Sequence, residues 1–280
     1  MEFINKGSGI YTLKKDDNNF LNVCPERGGI ITNWISNNQS ILYFDQERFI
    51  DTTKSIRGGI PILFPICGNL ENNSLFGNKY IDLMQHGFAR DLNWDCSFNK
   101  INNSLCLSLS DNNLTRKYYP FYFEINLECI LEDKHLSFNI DILNKSEFKM
   151  PINFGLHPYF NISDYQNLEF IEYSRNCQNQ KNNCLEQTDY LLRNLSKGID
   201  LLMYSSGQTS FKDTGFKRKI TLINPSPFDI CVIWSDPPRK MICMEPWTSP
   251  RNSLETGIKK IQISPYSRKK LSASIRIDNY

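Results

Sequence analysis

The clearest pattern in the chain is an alternation of apolar and polar side chains over three segments near its middle. In residues 105–110, 121–131 and 136–142, mostly Leu, Ile or Phe stands at every second position, with mainly Ser, Asn, Asp or Glu between. A period of two is typical of β-strands with one buried and one solvated face. The polar residues Glu132-Asp133-Lys134 separate the second and third segments. We therefore predict a meander of antiparallel strands.

Shorter runs of the same kind predict further strands, and turns separate them at frequent intervals. Helical periodicity is weak, and only the span 189–204 is ambiguous. The chain shows no linker and no internal repeat, so we predict an all-β sandwich formed by a single domain over residues 1–280. The segment 174–188 contains four asparagines and is expected to be an exposed loop. The additional predicted strands are 9–13, 20–24, 41–44, 219–223, 230–234, 240–244 and 270–277.

Composition narrows the range of partners. The 280 residues are 40% hydrophobic, enough for a large core, and 32 basic against 30 acidic residues give a net charge of +2. This balance gives no electrostatic reason to expect nucleic acid or a membrane surface as a partner. The nine cysteines are odd in number and lack CxxC spacing, which argues against a disulfide framework or a zinc site. Without a signal-like N-terminus or a membrane-length apolar run, the expected location is the cytoplasm.

Two of the three histidines lie in short polar motifs that contain glycine. Histidine exchanges protons near neutral pH, so such residues are acid–base candidates. The first is His86 in Gln85-His86-Gly87-Phe88-Ala89-Arg90. If this segment is extended, an imidazole, an aromatic ring and a guanidinium share one face, a combination suited to a sugar. The alternative is a strand-edge Arg90 paired with Asp91 or Asp95.

The second histidine, His157, belongs to the segment 153–160. In an extended conformation it shares a face with Asn153, Gly155 and Tyr159, while Phe154, Leu156 and Phe160 point toward the core. A polar stripe with a histidine and a glycine that opens space beside it is what the floor of a cleft requires. A structural histidine with satisfied hydrogen bonds is the alternative.

Two charged residues elsewhere occupy unusual positions. Glu245 ends an apolar run, where a carboxylate either finds a partner or has its pKa raised, as a general base requires. Trp247 lies on the same face if the strand continues, and the alternative is an ordinary strand-end salt bridge. Arg57 precedes Gly58-Gly59, where the backbone allows close approach of a ligand, although a surface arginine on a turn has the same pattern.

Taken in order, these four segments resemble the aldose 1-epimerase (mutarotase) superfamily over about residues 9 to 275. The resemblance implies a large antiparallel β-sandwich, the supersandwich, with an open cleft across one sheet. The stretches Arg57-Gly58-Gly59-Ile60-Pro61 and His86-Gly87-Phe88-Ala89-Arg90 are similar to the glucose-6-phosphate 1-epimerase branch. The aromatic-rich stretch expected after the first motif reads Leu63-Phe64-Pro65-Ile66-Cys67-Gly68 here.

By position, the resemblance implies that His157 is the general acid and Glu245 the general base. It implies that the remaining site residues bind the sugar hydroxyls or a phosphate: Arg57, His86, Arg90 and Asp200. The implied function is a mutarotase that interconverts the α and β anomers of an aldose, or of a hexose 6-phosphate, through ring opening and closure. Its partner is a small-molecule sugar or sugar phosphate, and neither a cofactor nor a metal is expected.

Two other functions stay open at the level of the sequence. One is a non-catalytic carbohydrate-binding or sensing protein on the same fold, since a fold alone does not fix a function. Retention of both His157 and Glu245 disfavours it, because binding alone does not need an acid–base pair. The other is a metal enzyme that uses His86, His157 and Glu245 as a set of two histidines and one carboxylate.

Overall fold

Antiparallel strands dominate the computed structural model, which describes residues 1–5, 7, 9–71, 74–76 and 79–280. Within those residues, two eight-stranded sheets form the body of the fold; strands are numbered in chain order. The back sheet consists, from edge to edge, of β16 (Leu168–Ile171), β20 (Gln208–Asp213), β21 (Arg218–Ile223), β25 (Arg268–Asn279), β12 (His135–Asn144), β11 (Phe123–Leu131), β10 (Ser104–Ser110) and β9 (Asp95–Asn99). The cleft sheet consists of β18 (Cys184–Gln187), β17 (Asn176–Asn179), β19 (Asp200–Tyr204), β22 (Ile230–Trp234), β23 (Met241–Trp247), β14 (Gly155–Leu156) and β6 (Ile62–Leu63), with β15 (Tyr159–Asn161) also paired to β23.

Smaller elements surround these two sheets. The N-terminal sheet contains β1 (Glu2–Asn5), β2 (Tyr11–Asp16), β3 (Asn19–Cys24), β4 (Ile30–Ser36) and β5 (Gln39–Ser40). Two strand pairs are β7 (Ser74–Phe76) with β8 (Lys79–Ile81), and β13 (Met150–Ile152) with β24 (Ile261–Ile263). The helices are short: α1 (Gln46–Ile50), α2 (Thr115–Tyr118), α3 (Thr188–Leu192), α4 (Ser253–Thr256), and three 3₁₀ turns at Ala89–Asp91, Tyr165–Asn167 and Leu195–Lys197. In the described part of the chain, no helix has the length and apolar character needed to span a membrane.

The predicted meander is confirmed as β10, β11 and β12 of the back sheet. Its register places Leu127 opposite Ile140, which in turn lies opposite Leu271 of β25. All three side chains are buried. Each such burial contributes about 1.5–3 kcal/mol relative to an exposed side chain. The apolar positions of the alternating pattern therefore form the inner face of this sheet.

The cleft sheet shares this core through one of its faces. Ile242 and Met244 of β23 belong to the same buried cluster as Leu127 and Ile140. Because side chains alternate along a strand, the other face of β23 is turned away from that core. The two sheets thus form the predicted large antiparallel β-sandwich, and the free face of the cleft sheet holds the candidate site.

Two sequence predictions of local structure were wrong. The span 174–188 is not a loop but the hairpin β17–β18, whose asparagines make the turn: Asn179 and Asn182 accept hydrogen bonds from the backbone of Lys181 and Cys184. The span 41–44 is not a regular strand and forms only isolated bridges, because it passes between two short segments of chain, at residues 58 and 160. The ambiguous span 189–204 contains most of α3, a 3₁₀ turn and β19.

Candidate active site

Strand β23 carries the carboxylate at the centre of the site. Glu245 lies opposite Val232 of β22 and is only 1% exposed. Its Oε2 accepts a hydrogen bond of 3.0 Å from Nε1 of Trp247, two residues further along the same face. Both side chains line one cavity, so the expectation that they share a face is confirmed.

His157 reaches the same cavity from the junction between β14 and β15. Its backbone N–H donates to the carbonyl of Pro61 at 3.0 Å, which fixes the chain beside β6. The ring stacks on Tyr159 with 4.6 Å between centroids and 8° between planes. Its Nε2 lies 3.4 Å from Oε1 of Glu245. The histidine and the glutamate, 88 positions apart in the sequence, therefore form a direct pair.

The segment before His157 behaves mostly as its pattern predicts. Phe154, Leu156 and Phe160 are buried in the core. Gly155 lies opposite Trp247, and a Cβ atom at this glycine would lie 2.9 Å from Cδ1 of that indole. The glycine therefore makes room for Trp247.

Asn153 is the exception in this segment. Its Oδ1 accepts a hydrogen bond of 2.9 Å from the hydroxyl of Ser253 in α4, and the side chain is not among those that line the cavity. Its polar group is used to fix α4 against the sheet, so the expected polar stripe begins at Gly155.

Burial controls the protonation of the His157–Glu245 pair. It raises the pKa of the Glu245 carboxyl well above its ordinary value, and the nearby charge of Asp200 raises it further. It lowers the pKa of His157 well below its ordinary value, because an imidazolium is poorly solvated there and Arg90 and Arg57 oppose it. Both directions favour a neutral imidazole beside a neutral carboxyl. The pair holds one proton, and either member can accept or donate it.

His86 lies edge-on to His157, with 5.6 Å between ring centroids. Its Nδ1 accepts a hydrogen bond of 3.1 Å from the backbone N–H of Gly68, so the ring proton must reside on Nε2. Burial, followed by the charges of Arg90 and Arg251, lowers the pKa of His86 to about 3. This histidine is neutral at working pH and offers Nε2–H as a donor.

The segment that carries His86 is a turn, so the extended conformation in which His86, Phe88 and Arg90 would share one face is not present. His86 has φ 66° and Gly87 φ 70°, and Ala89–Asp91 is a 3₁₀ turn. A side chain at Gly87 would collide with the backbone of Phe64. The turn sends Phe88 into the core rather than into the cavity, where an aromatic sugar platform was expected.

Arg57 is held loosely at the edge of the site. Its Nη1 donates to the hydroxyl of Ser55 at 3.0 Å, and its Nε lies 3.8 Å from Oδ2 of Asp236. The guanidinium carbon lies 5.3 Å from the ring centroid of Trp234. Gly58, with φ 134°, lets the backbone pass close to Phe44, where a Cβ would lie 2.5 Å from Cα. Arg57 lines the cavity, but the close approach that Gly58 allows is to the protein's own chain at Phe44.

Arg90 is held in the same manner. Its Nη2 donates to the carbonyl of Gln85 at 3.0 Å, and its Nε lies 3.6 Å from Oδ2 of Asp91. The ion pair with Asp91, which was the alternative for this arginine at the level of the sequence, is therefore present. It is longer than the 2.7–2.9 Å typical of a strong charge-assisted hydrogen bond. A guanidinium has several N–H donors, so Arg90 keeps donors for a ligand.

These side chains surround one cavity of about 230 Å³. All six site residues predicted from the sequence contribute to its wall. The arginines outnumber the carboxylates, which favours a polar ligand that carries negative charge. The lining residues are Ser55, Arg57, Gln85, His86, Arg90, His157, Tyr159, Gln180, Asp200, Val232, Trp234, Glu245, Trp247 and Arg251.

The sequence analysis missed several lining residues, among them the polar or aromatic side chains of Gln180, Trp234 and Arg251. Trp234 approaches the stacked rings of His157 and Tyr159 edge-on, at 6.1 and 5.9 Å between centroids. Trp234 could have been identified from the sequence, because this residue ends the predicted strand 230–234, which precedes the strand that leads to Glu245. Gln180 and Arg251 lie in turns and gave no comparable signal.

One group among the described residues has the donors for a metal ion. Ligand atoms of His157, Cys243 and Glu245 lie within 4.8 Å of one another. This differs from the set considered from the sequence, because His86 directs Nδ1 to the backbone of Gly68 instead. Burial raises the pKa of the Cys243 thiol well above its ordinary value, and the arginines around the cavity oppose a cation. The donor set therefore fits proton transfer better than metal binding.

Comparison with known proteins identifies the family and supports the fold. The sequence model of the aldose 1-epimerase family matches residues 9–263. The solved structure of the Slr1438 protein from Synechocystis sp. is 33% identical, with a TM-score of 0.93 over 100% of this chain and 99% of that one. A Cenchrus ciliaris protein provisionally named glucose-6-phosphate 1-epimerase is 26% identical over 80% of this chain and 70% of its own. The galactose mutarotase related enzyme of Lactobacillus acidophilus, at 21% identity, has the same fold, with a TM-score of 0.78 over 96% of this chain and 97% of that one.

Proposed function

The chain belongs to the aldose 1-epimerase family, and on that premise we propose that it is a mutarotase that interconverts the α and β anomers of an aldose. The observation that carries this proposal is the 3.4 Å contact between Nε2 of His157 and Oε1 of Glu245 on the cavity wall. The anomeric hydroxyl and the ring oxygen of a pyranose are bonded to the same carbon. Two side chains this close can therefore reach both oxygens at once.

The proposed reaction begins with transfer of the pair's proton from Glu245 to His157. The Glu245 carboxylate then removes the proton from the anomeric hydroxyl O1, while the imidazolium donates its proton to the ring oxygen O5. The C1–O5 bond breaks, O1 becomes the aldehyde oxygen, and rotation about C1–C2 presents the other carbonyl face. Ring closure reverses both transfers: Glu245 returns a proton to O1 and His157 takes one from O5. The pair therefore holds one proton throughout, and the reaction consumes no cofactor.

The charge around the cavity supports a hexose 6-phosphate as the substrate. Arg57 and Arg90 keep N–H donors free, and two guanidinium groups bind a phosphate dianion through charge-assisted hydrogen bonds. The guanidinium carbon of Arg57 lies 5.3 Å from the ring centroid of Trp234, whose ring is edge-on to His157 at 6.1 Å. Arg90 donates to the carbonyl of Gln85, next to His86, whose ring centroid is 5.6 Å from that of His157. Both arginines are therefore placed near His157. In a hexose, C6 is attached to C5, the carbon next to O5. A phosphate at C6 would thus lie on the same side as His157, the group that protonates O5, and near the two arginines.

An anomer-exchange screen tests both the mutarotase activity and the preference for a hexose 6-phosphate. Magnetization transfer or line broadening in NMR would be measured with purified protein on glucose, galactose and their 6-phosphates. We expect the fastest exchange on a 6-phosphate, and a larger loss of kcat/KM for it than for the free sugar in Arg57→Ala and Arg90→Ala. The surface variant Arg276→Ala, whose arginine pairs with Asp278 at 3.1 Å on the back sheet, is the matched control.

The outcomes of this screen distinguish failure of the phosphate assignment from failure of the mutarotase assignment. Equal losses for free and phosphorylated sugar in both arginine variants would reject the phosphate while retaining the mutarotase. Absence of exchange on all tested sugars would reject the mutarotase itself, and sugar binding without exchange would favour a binding protein on the same fold.

A further inference from the structure

Four charged side chains of alternating sign lead away from the edge of the cavity. Oδ2 of Asp236 lies 3.8 Å from Nε of Arg57 and 2.8 Å from Nη1 of Arg239. Nε of Arg239 in turn lies 3.5 Å from Oδ2 of Asp45. Arg57 lines the cavity, and the other three side chains lie outside its lining. We call Arg57, Asp236, Arg239 and Asp45 the ion-pair chain.

Backbone hydrogen bonds fix both ends of the ion-pair chain. The N–H of Asp45 donates to the carbonyl of Arg57 at 2.9 Å, which closes the base of the loop that contains α1. The N–H of Arg239 donates to the carbonyl of Asp236 at 3.1 Å, within the turn between β22 and β23. The carbonyl of Arg239 accepts a hydrogen bond of 2.6 Å from the hydroxyl of Tyr165. Arg239 therefore joins this turn to the base of the α1 loop.

Arg239 and Arg57 share one oxygen of Asp236, and they share it unequally. The 2.8 Å contact from Arg239 has the length of a charge-assisted hydrogen bond, whereas the 3.8 Å contact from Arg57 is too long for one. The guanidinium carbon of Arg57 instead lies 5.3 Å from the ring centroid of Trp234, which also lines the cavity. Asp236 is thus mainly the partner of Arg239, and Arg57 stays directed at the cavity.

The charges of the ion-pair chain balance only when Arg239 is present. Two guanidinium groups then face two carboxylates. Without Arg239, both Asp45 and Asp236 would remain near Arg57 with a single positive charge between them. The four side chains are 17% to 31% exposed, so solvent and salt screen these interactions only in part. Loss of Arg239 would therefore make this edge of the cavity repel an anion.

We propose that Arg239 is a positioning residue that occupies Asp236 and thereby keeps Arg57 available for the anionic group of the substrate. This inference rests on the proposed function, in which Arg57 binds the phosphate of a hexose 6-phosphate. Arg239 contacts neither the reacting oxygens nor the phosphate and acts through Asp236 alone. It therefore sets KM for the phosphorylated sugar and leaves kcat and the free sugar unaffected.

The test measures KM and kcat of anomer exchange on a hexose 6-phosphate and on the free hexose. In Arg239→Gln we expect KM for the 6-phosphate to rise about two- to fivefold, as for partly exposed ion pairs, and the rise to shrink at high salt. Arg239→Lys keeps the positive charge and should retain most of the wild-type affinity. Adding Asp236→Asn to Arg239→Gln should return KM to about that of the wild type, because it removes the carboxylate that the first change released. Arg268→Gln, whose arginine lies 3.2 Å from Asp141 on the back sheet, is the matched control.

A variant that folds poorly has fewer active molecules, which lowers the apparent kcat but not KM, so KM is the decisive readout. Three results would overturn the inference: an unchanged KM for the 6-phosphate in Arg239→Gln, an equal rise for both sugars, or a double variant as impaired as Arg239→Gln alone. The phosphate assignment would survive each of them if Arg57→Ala still weakens the 6-phosphate selectively.

Failure of the proposed function gives a different pattern. If Arg57→Ala weakens both sugars equally, the phosphate assignment and this inference fail together while the mutarotase stands. If no sugar is exchanged, the same variants are titrated with inorganic phosphate and Kd is read by phosphorus NMR. Weaker phosphate binding in Arg239→Gln that Asp236→Asn restores then supports the inference without the mutarotase. Equal binding by Arg239→Gln, or no binding by the wild type, rejects it.

Discussion

Trp247 donates a hydrogen bond of 3.0 Å from its indole Nε1 to Oε2 of Glu245 on the same face of β23. The bond stabilises the carboxylate and so lowers the pKa of Glu245, against the dominant effect of burial. The ring also lies edge-on to His86, with 5.7 Å between centroids. One side chain therefore frames the cavity and tunes the acidity of the proposed base.

The first prediction concerns Trp247→Phe, which keeps most of the ring but removes the donor. Loss of the bond raises the pKa of Glu245, so transfer of its proton to His157 becomes less favourable. At neutral pH kcat should therefore fall about tenfold, as expected for a hydrogen bond to a charged group. The alkaline limb of the kcat–pH profile, where the pair loses its proton, should move to higher pH. Anomer exchange measured from neutral to alkaline pH checks both effects.

Trp94→Phe is the matched control for this experiment. Its indole Nε1 donates to the carbonyl of Ala89 at 2.9 Å, outside the cavity lining. The control should lose stability by a comparable amount without moving the alkaline limb. An alkaline limb that stays in place in Trp247→Phe would show that the bond does not set the protonation of Glu245.

The second prediction concerns the two proposed catalytic residues. Glu245→Gln keeps the shape and an acceptor for Trp247, and His157→Asn keeps a polar group, so both proteins should unfold at temperatures close to that of the wild type. Each should lose about 10²- to 10⁴-fold in kcat/KM, the usual contribution of a positioned acid or base. The double variant should be little worse than either single one, because the two residues act as a unit. Near-wild-type exchange in both single variants would end the assignment.

Local periodicity explains which parts of the fold were predictable. The strands β10, β11 and β12 were found because each has a strict alternation over six residues or more, which propensity and burial both enforce. The hairpin β17–β18 has the sequence pattern of a loop, because its strands are four residues long and asparagine is frequent in and around its turn. Strands β6 and β14 contain only two residues each, so their existence depends on pairing with partners distant in the sequence.

The candidate site was predictable to the extent that its residues lie in local motifs. His86, His157 and Glu245 stand out because glycine, proline or an apolar run surrounds each of them. Gln180 and Arg251 come from turns without such a context. They reach the cavity because β17 pairs with β19 and because the turn after β23 packs against Gly68. Long-range pairing of this kind leaves no periodic trace in a single sequence.

The third prediction concerns Gly155→Ala. The added Cβ would lie 2.8 Å from Sγ of Cys67 and 2.9 Å from Cδ1 of Trp247, closer than packed atoms tolerate. Overpacking of this kind costs about 1–3 kcal/mol, so chemical denaturation should show a lower free energy of unfolding. Because the added methyl group would displace the indole ring of Trp247, which lines the cavity, anomer exchange should slow as well. An unaffected stability would mean that the sheet relaxes around the extra methyl group.

The fourth prediction concerns Asp236, the carboxylate that lies 3.8 Å from Nε of Arg57 at the edge of the cavity. An anionic substrate must compete with it for the same guanidinium. Asp236→Asn removes the competing charge, while its side-chain oxygen can still accept a hydrogen bond from Arg239, now 2.8 Å away. A partly exposed pair of this kind contributes up to about 1 kcal/mol, so KM for the 6-phosphate should fall by no more than about fivefold, and less at high salt. KM for the free sugar should not change, and Asp278→Asn, which removes a distant surface charge paired with Arg276, controls for net charge. A KM for the 6-phosphate that stays constant or rises would show that Arg57 does not receive the phosphate.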